Sequence, residues 1–150
     1  SRRRHTRYIS VTGVQTCALP IYLAILTAFC EVIVAGGVLR SRDRGIIGEA
    51  TVEFIRQFKV DIGLIGISGI ETDGTLRDYD FREVKVARTI MEHSREIWLA
   101  ADASKFNRRA MVELAPLTSI DRLFTDEPLR APFDTMLAES GVKCVVADGE

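Results

Sequence analysis

Residues suited to metal or redox chemistry are scarce: 150 residues contain three cysteines and two histidines. Cys17, Cys30 and Cys144 lie far apart, with no C-x-x-C pair and no Cys/His zinc spacing. Neither a structural metal nor a disulfide framework is expected, and a reducing cytoplasm fits. Charge of one sign is lacking as well. Twenty Lys plus Arg against 21 Asp plus Glu leave a net charge of -1, so no overall positive field draws this stretch onto a phosphate backbone. No repeat or low-complexity segment occurs. The longest apolar stretch, "VQTCALPIYLAILTAFC", is interrupted by Pro20 and has no small-x-small cleavage site after it, which argues against a signal peptide despite the basic "SRRRHTR" before it. What remains, 47% hydrophobic and 27% charged residues, suits one globular domain with a core.

The first residues stand apart from the rest. Arg2, Arg3, Arg4 and Arg7 could form a minor-groove arm, but no DNA-reading helix follows them. "SRRRHTRY" and "SVTGVQTCALPI" resemble translated sequencing-adaptor sequence. Residues 1–21 are therefore read as a non-native leader and set aside from fold reasoning, leaving 22–150 as the domain.

From Glu31 onward, strands and helices are expected to alternate. "EVIVA" reads as a buried strand ending at Gly36-Gly37, followed by a basic loop carrying Arg40, Arg42 and Arg44. Ile47, Ala50, Phe54 and Phe58 place one helical face over 48–58. "DIGLIGISG" is a second strand, and Val84, Ala87 and Met91, with Val86 and Ile90, mark a helix over 81–93. "EIWLAA" follows as a third strand, "NRRAMVELA" as a short helix and "DRLFTD" as a fourth strand. "APFDTMLAESG" is a helix stopped by Gly141, and "VKCVVA" is a fifth strand. The pattern predicts an α/β fold, a mostly parallel sheet flanked by helices.

In such sheets ligands lie beyond the carboxyl ends of the strands. Those ends are Gly36-Gly37, Ser68-Gly69-Ile70-Glu71, Asp102-Ala103-Ser104-Lys105 and Thr125-Asp126. Small residues permit close backbone approach, and Lys105, Ser104 and backbone N–H groups can donate to an anion, so a small phosphorylated or carboxylated polyol fits. Bland alternatives accompany each element. Gly36-Gly37 is also a plain tight turn, Arg40, Arg42 and Arg44 a solvated loop, and Asp102 with Lys105 a surface pair. "ETDGTLRDYD" lacks calcium-loop spacing and is read as a turn at Asp73-Gly74. His93 is a helix-end dipole partner, and Met91, Met111 and Trp98 belong to the core.

Four stretches, "EVIVAGGVLRSRDRGIIGEATVEFIRQFKVD", "GLIGISGIETDGTLRDYDFREVKVARTIMEHSR", "LAADASKFNRRAMV" and "IDRLFTDEP", together resemble the effector-binding domain of DeoR-family transcriptional repressors over about 23–148. The resemblance implies a fold akin to ribose-5-phosphate isomerase and the CoA transferases. Such isomerases carry "GADEID", a Lys-Gly-Gly-Gly stretch, "REK" opening a helix, and "DxSK". Here the last two are matched by Arg82-Glu83-Val84-Lys85 and Asp102-Ala103-Ser104-Lys105. At the first, Ser68 stands in place of an acid and only Glu71 could replace the other, while "TLRDYDF" takes the place of the lysine-glycine stretch. Enediolate chemistry needs a positioned base and an electrophile, so recognition without turnover is expected.

The resemblance thus implies a non-catalytic sensor for a phosphorylated sugar or polyol, with glycerol-3-phosphate favoured and neither cofactor nor metal. Lys105 would donate to the effector, Asp102 and Ser104 orient it, and Gly36, Gly37, Ser68 and Gly69 line the pocket. Glu83 either accepts from a hydroxyl or serves as a first-turn acid. A homo-oligomer is expected, with operator contact belonging to a winged helix-turn-helix not contained in this stretch. The family's glycine-threonine loop and "TNN" stretch for the phosphate also have no counterpart, and residues 1–21 occupy their place. A divergent sugar-phosphate isomerase and a ligand-free oligomerisation module are the other readings.

Overall fold

A computed structural model of the chain describes residues 9–12, 32–41 and 45–147. The elements run in the order β1 (Ile9–Thr12), β2 (Val38–Leu39), β3 (Ile46–Ile47), α1 (Glu49–Arg56), β4 (Val60–Gly66), β5 (Gly69–Ile70) and β6 (Thr75–Asp78). Then come α2 (Phe81–Glu92), β7 (Ser94–Ala100), β8 (Val112–Pro116), β9 (Arg122–Thr125), α3 (Phe133–Ser140) and β10 (Lys143–Val146). Two short 3-10 turns, Ala103–Lys105 and Leu117–Ser119, precede β8 and β9 respectively.

The fold is α/β, with a mostly parallel sheet flanked by helices. Its main sheet has the order β1-β4-β7-β9-β10, and every neighbouring pair in it is parallel. One face of the central strands is fully buried through Ile65, Ile97, Leu99 and Leu123, while the other carries the partly exposed Glu96, Trp98 and Arg122 beside buried Ile62. Register aligns the strand ends, with Gly66 opposite Ala100, Ala100 opposite Phe124, and Phe124 opposite Val145. The loops that follow therefore emerge side by side on one rim.

Helix α2 starts where Asp80 accepts a hydrogen bond from Arg82 N at 2.9 Å, a side-chain N-cap. Its Val84, Val86 and Ile90 join a core cluster with Ile65, Leu99 and Leu123 of the sheet and Phe133 and Leu137 of α3. Gly63 lets the end of α2 approach β4. A Cβ there would collide with Ser94 Oγ and come within 2.8 Å of Ile90 Cγ2. Ser94 Oγ is itself fixed by donating to Ile90 O at 2.6 Å.

Several sequence expectations need correction. "EVIVA" forms no strand among its described residues, and Ile33 and Val34 are exposed: β-branched composition favours a ladder only where a partner strand lies alongside. Helix α1 forms, yet its buried residues are Thr51, Val52 and Ile55 rather than Ala50, Phe54 and Phe58; of the predicted face only Ile47, which lies in β3, is buried. Phe54 and Phe58 instead stack on each other with ring centroids 5.1 Å apart. Within "NRRAMVELA", the expected helix is strand β8, paired antiparallel with β6, which also pairs with β5 in a separate three-stranded sheet. Met111, expected in the core, is 78% exposed.

Ile9–Thr12, set aside with residues 1–21, form the edge strand parallel to β4. Asp73-Gly74 makes the expected turn, with Asp73 accepting from Thr75 N at 2.9 Å and Gly74 at φ 82°. His93 caps the end of α2, its Nδ1 3.0 Å from Thr89 O.

Candidate functional site

A cleft of about 440 Å³ opens on the rim where the parallel strands end. Gly66 and Ile67 at the end of β4, Ala100 and Ala101 at the end of β7, and Phe124 and Thr125 at the end of β9 line it. The β3 segment Gly45, Ile46 and Ile47 lies along one side, and Glu83, Val84 and Ala87 of α2 contribute another. Of the residues singled out from sequence, Ser68, Glu83, Asp102 and Lys105 line this cleft.

The loop after β7 is built by carboxylates. Asp102 Oδ1 accepts from Ser104 N at 2.9 Å, which caps the 3-10 turn carrying Lys105. Asp126, at the end of β9, accepts from Ala103 N at 2.7 Å and so ties two neighbouring strand ends together. The hydrogen bonds from Ser104, followed by the field of Lys105, hold the Asp102 carboxyl below the usual aspartate range. Lys105 Nζ lies 3.9 Å from Asp102 Oδ2, beyond hydrogen-bond distance, and its side chain is 20% exposed. That ammonium can reach an anion in the cleft without breaking an internal hydrogen bond recorded among the described residues.

Gly36, Gly37, Gly69 and Ser104 lie outside the cleft lining. Gly36 O accepts from Thr51 Oγ1 at 2.8 Å, and Gly37, at φ 151°, packs so closely on Thr51 and Ile47 that a Cβ would clash. A Cβ on Gly69 would strike the backbone oxygen of Arg108. Gly37 and Gly69 thus serve close backbone packing, whereas a Cβ on Gly36 would meet open space. The backbone N–H groups of Ala103 and Ser104 are taken by Asp126 and Asp102, so they are not presented to a ligand.

Two further residues shape the site: Asp78, not singled out from sequence, and Arg40, named there only within the basic loop. Asp78, 9% exposed, lines the cleft and accepts hydrogen bonds from Ser68 Oγ at 2.9 Å and Tyr79 N at 2.7 Å. It belongs to "TLRDYDF", where the isomerase comparison drew attention only to a missing lysine. Arg40, assigned to a solvated loop, is instead partly buried and bridges Asp80, at 2.6 Å, and Glu83. Glu83 is therefore committed to an ion pair at the start of α2. Arg42 and Arg44 lie outside the described residues. Among the described residues, no group of three His, Cys, Asp or Glu side chains could hold a metal, and no helix is long and apolar enough to cross a membrane.

A model of the DeoR C-terminal sensor domain matches residues 7–127, a range that takes in the ends of β4, β7 and β9 around the cleft. The chain belongs to this family. The glycerol-3-phosphate regulon repressor of Escherichia coli (strain K12) is 53% identical to the sensor domain over 98 residues, 65% of this chain and 39% of that protein. The repressor of the same name from Haemophilus influenzae is 48% identical over 120 residues, 80% of this chain and 46% of that protein. The E. coli transcriptional repressor CsqR is 37% identical over 116 residues, 77% of this chain and 44% of that protein. The sensor domain spans less than half the length of each of these relatives.

Proposed function

We propose that the cleft binds a small phosphorylated sugar or polyol, glycerol-3-phosphate foremost, and that occupancy relieves repression by a larger cytoplasmic DNA-binding protein. The observation that carries this reading is Lys105. It stands at a strand terminus in a cleft of ligand size, its ammonium beyond hydrogen-bond distance of Asp102. The names of the Escherichia coli and Haemophilus influenzae relatives support the choice of effector. Asp102 and Asp126 fix the turn that presents Lys105, and Asp78 and Ser68 offer polar groups to ligand hydroxyls. Glu83 acts indirectly, by keeping Arg40 on α2.

In a whole repressor, an effector favouring the conformation with poor operator affinity would turn its binding energy into release of DNA. Titration with glycerol-3-phosphate of the chain extended at its N-terminus to the length of its repressor relatives, followed by amide chemical shifts, tests the binding step. Saturable shifts around residues 100–106 are expected, and Lys105→Ala should weaken binding about tenfold or more. Flat titrations would overturn the reading in favour of an interaction module without a small ligand. Turnover of an aldose phosphate to its ketose would overturn it in favour of an isomerase.

A further inference from the structure

Among the described residues, the charges lining the cleft are one cation, Lys105, and four carboxylates, Asp78, Glu83, Asp102 and Asp126. Three of those acids have structural partners that account for them. Glu83 pairs with Arg40, Asp102 caps the turn beside Lys105, and Asp126 holds Ala103 N. Asp78 differs. It is 9% exposed, and its recorded hydrogen bonds, both to Oδ1, come from neutral donors, Ser68 Oγ and Tyr79 N. Among the described residues no cation stands within ion-pair distance of it, and Oδ2 receives no hydrogen bond. A buried carboxylate fixed in this way welcomes a hydroxyl donor and repels a second negative charge, because low local dielectric strengthens both effects.

Resting on the sensor reading above, we infer that Asp78 sets the specificity of the cleft. It selects monophosphorylated polyols whose far end is a neutral hydroxyl and rejects phosphorylated acids and bisphosphates of the same skeleton. Lys105 can balance one anionic group, and among the described residues nothing in the cleft lining balances another at Asp78. The selectivity comes from unfavourable interaction with the wrong ligand as much as from attraction to the right one.

Glycerol-3-phosphate and 3-phosphoglycerate form a matched pair of probes, since they differ in having a hydroxymethyl group or a carboxylate at one end. Chemical-shift titrations of the same N-terminally extended chain should show glycerol-3-phosphate bound at least tenfold more tightly. Asp78→Asn should cut that ratio to about threefold or less, mainly by improving 3-phosphoglycerate. Lys105→Ala should weaken both ligands and leave the ratio in place, as should Ser68→Ala, which keeps the Asp78 charge. Loss of fold in Asp78→Asn would leave the wild-type ratio and the Ser68→Ala ratio as the deciding measurements. Equal affinity of the wild-type chain for both probes, or an unchanged ratio in a folded Asp78→Asn, overturns the specificity role alone. Saturation by neither probe overturns the sensor reading together with it.

Discussion

Asp80 shows how one side chain can organise a site it does not line. It caps α2 through Arg82 N, takes the Arg82 guanidinium at 2.8 and 3.1 Å, and takes Arg40 at 2.6 Å. The Arg82 side-chain hydrogen bonds, with the backbone bond and Arg40 behind them, hold its carboxyl far below the ordinary aspartate range. A folded value below the unfolded one means that the stabilisation is complete above about pH 4 and fades as pH falls toward the folded value. Asp80→Asn should therefore lower the urea-unfolding free energy at pH 7 by about 1–2 kcal/mol. The gap between variant and wild type should shrink steadily in the same measurement repeated below pH 4. From sequence, Arg40 and Asp80 are 40 positions apart with no motif joining them, and only the fold brings them together. Asp78 was obscured for a different reason: a motif comparison asks what is missing at a position, whereas the carboxylate that arrived there gains meaning only once Ser68 is seen to face it.

Elements were legible where one periodicity dominated. Strands β4, β7, β9 and β10 are apolar runs of strand length, and α2 and α3 carry a helical stripe between clear stops, so the sequence predicts all six. Strand β8 was not legible because its Val, Glu, Leu and Ala also suit a helix, and pairing with β6 decides the matter. In α1 two apolar faces compete, and the one that packs against the molecule is Val52 and Ile55. The ends of elements make a testable contrast between two glycines. Gly141 ends α3 at φ 74° with open space around a built Cβ, so Gly141→Ala costs about 1 kcal/mol through backbone strain alone. Gly63→Ala must displace Ser94 or Ile90 from the buried contact between β4 and α2. It should cost about 2 kcal/mol or more, and denaturant unfolding of the two variants side by side checks the order.

Across the whole molecule, the sheet supplies the rim and the helices supply its cover, which is why a site could be placed at the strand ends before its residues could be ranked. Sequence placed Lys105 and Asp102 on that rim, and the structure brings Glu83, Ser68 and Asp78 around the same cleft. The wholly parallel pairing of the main sheet carries a kinetic consequence. Each adjacent pair of strands is joined by a long crossover, β4 to β7 spanning Gly66 to Ser94, so none can zip up as a hairpin. Closing those distant loops must precede the contacts that reward it, which puts refolding on the order of milliseconds to seconds rather than microseconds. Trp98, the single tryptophan, sits on β7 between Leu64 and Arg122 of the neighbouring strands, where stopped-flow fluorescence would record their assembly. A nascent chain of this kind cannot complete its sheet until β9 and β10 have been synthesised, so its vulnerable interval is set by the ribosome as well as by its own chemistry.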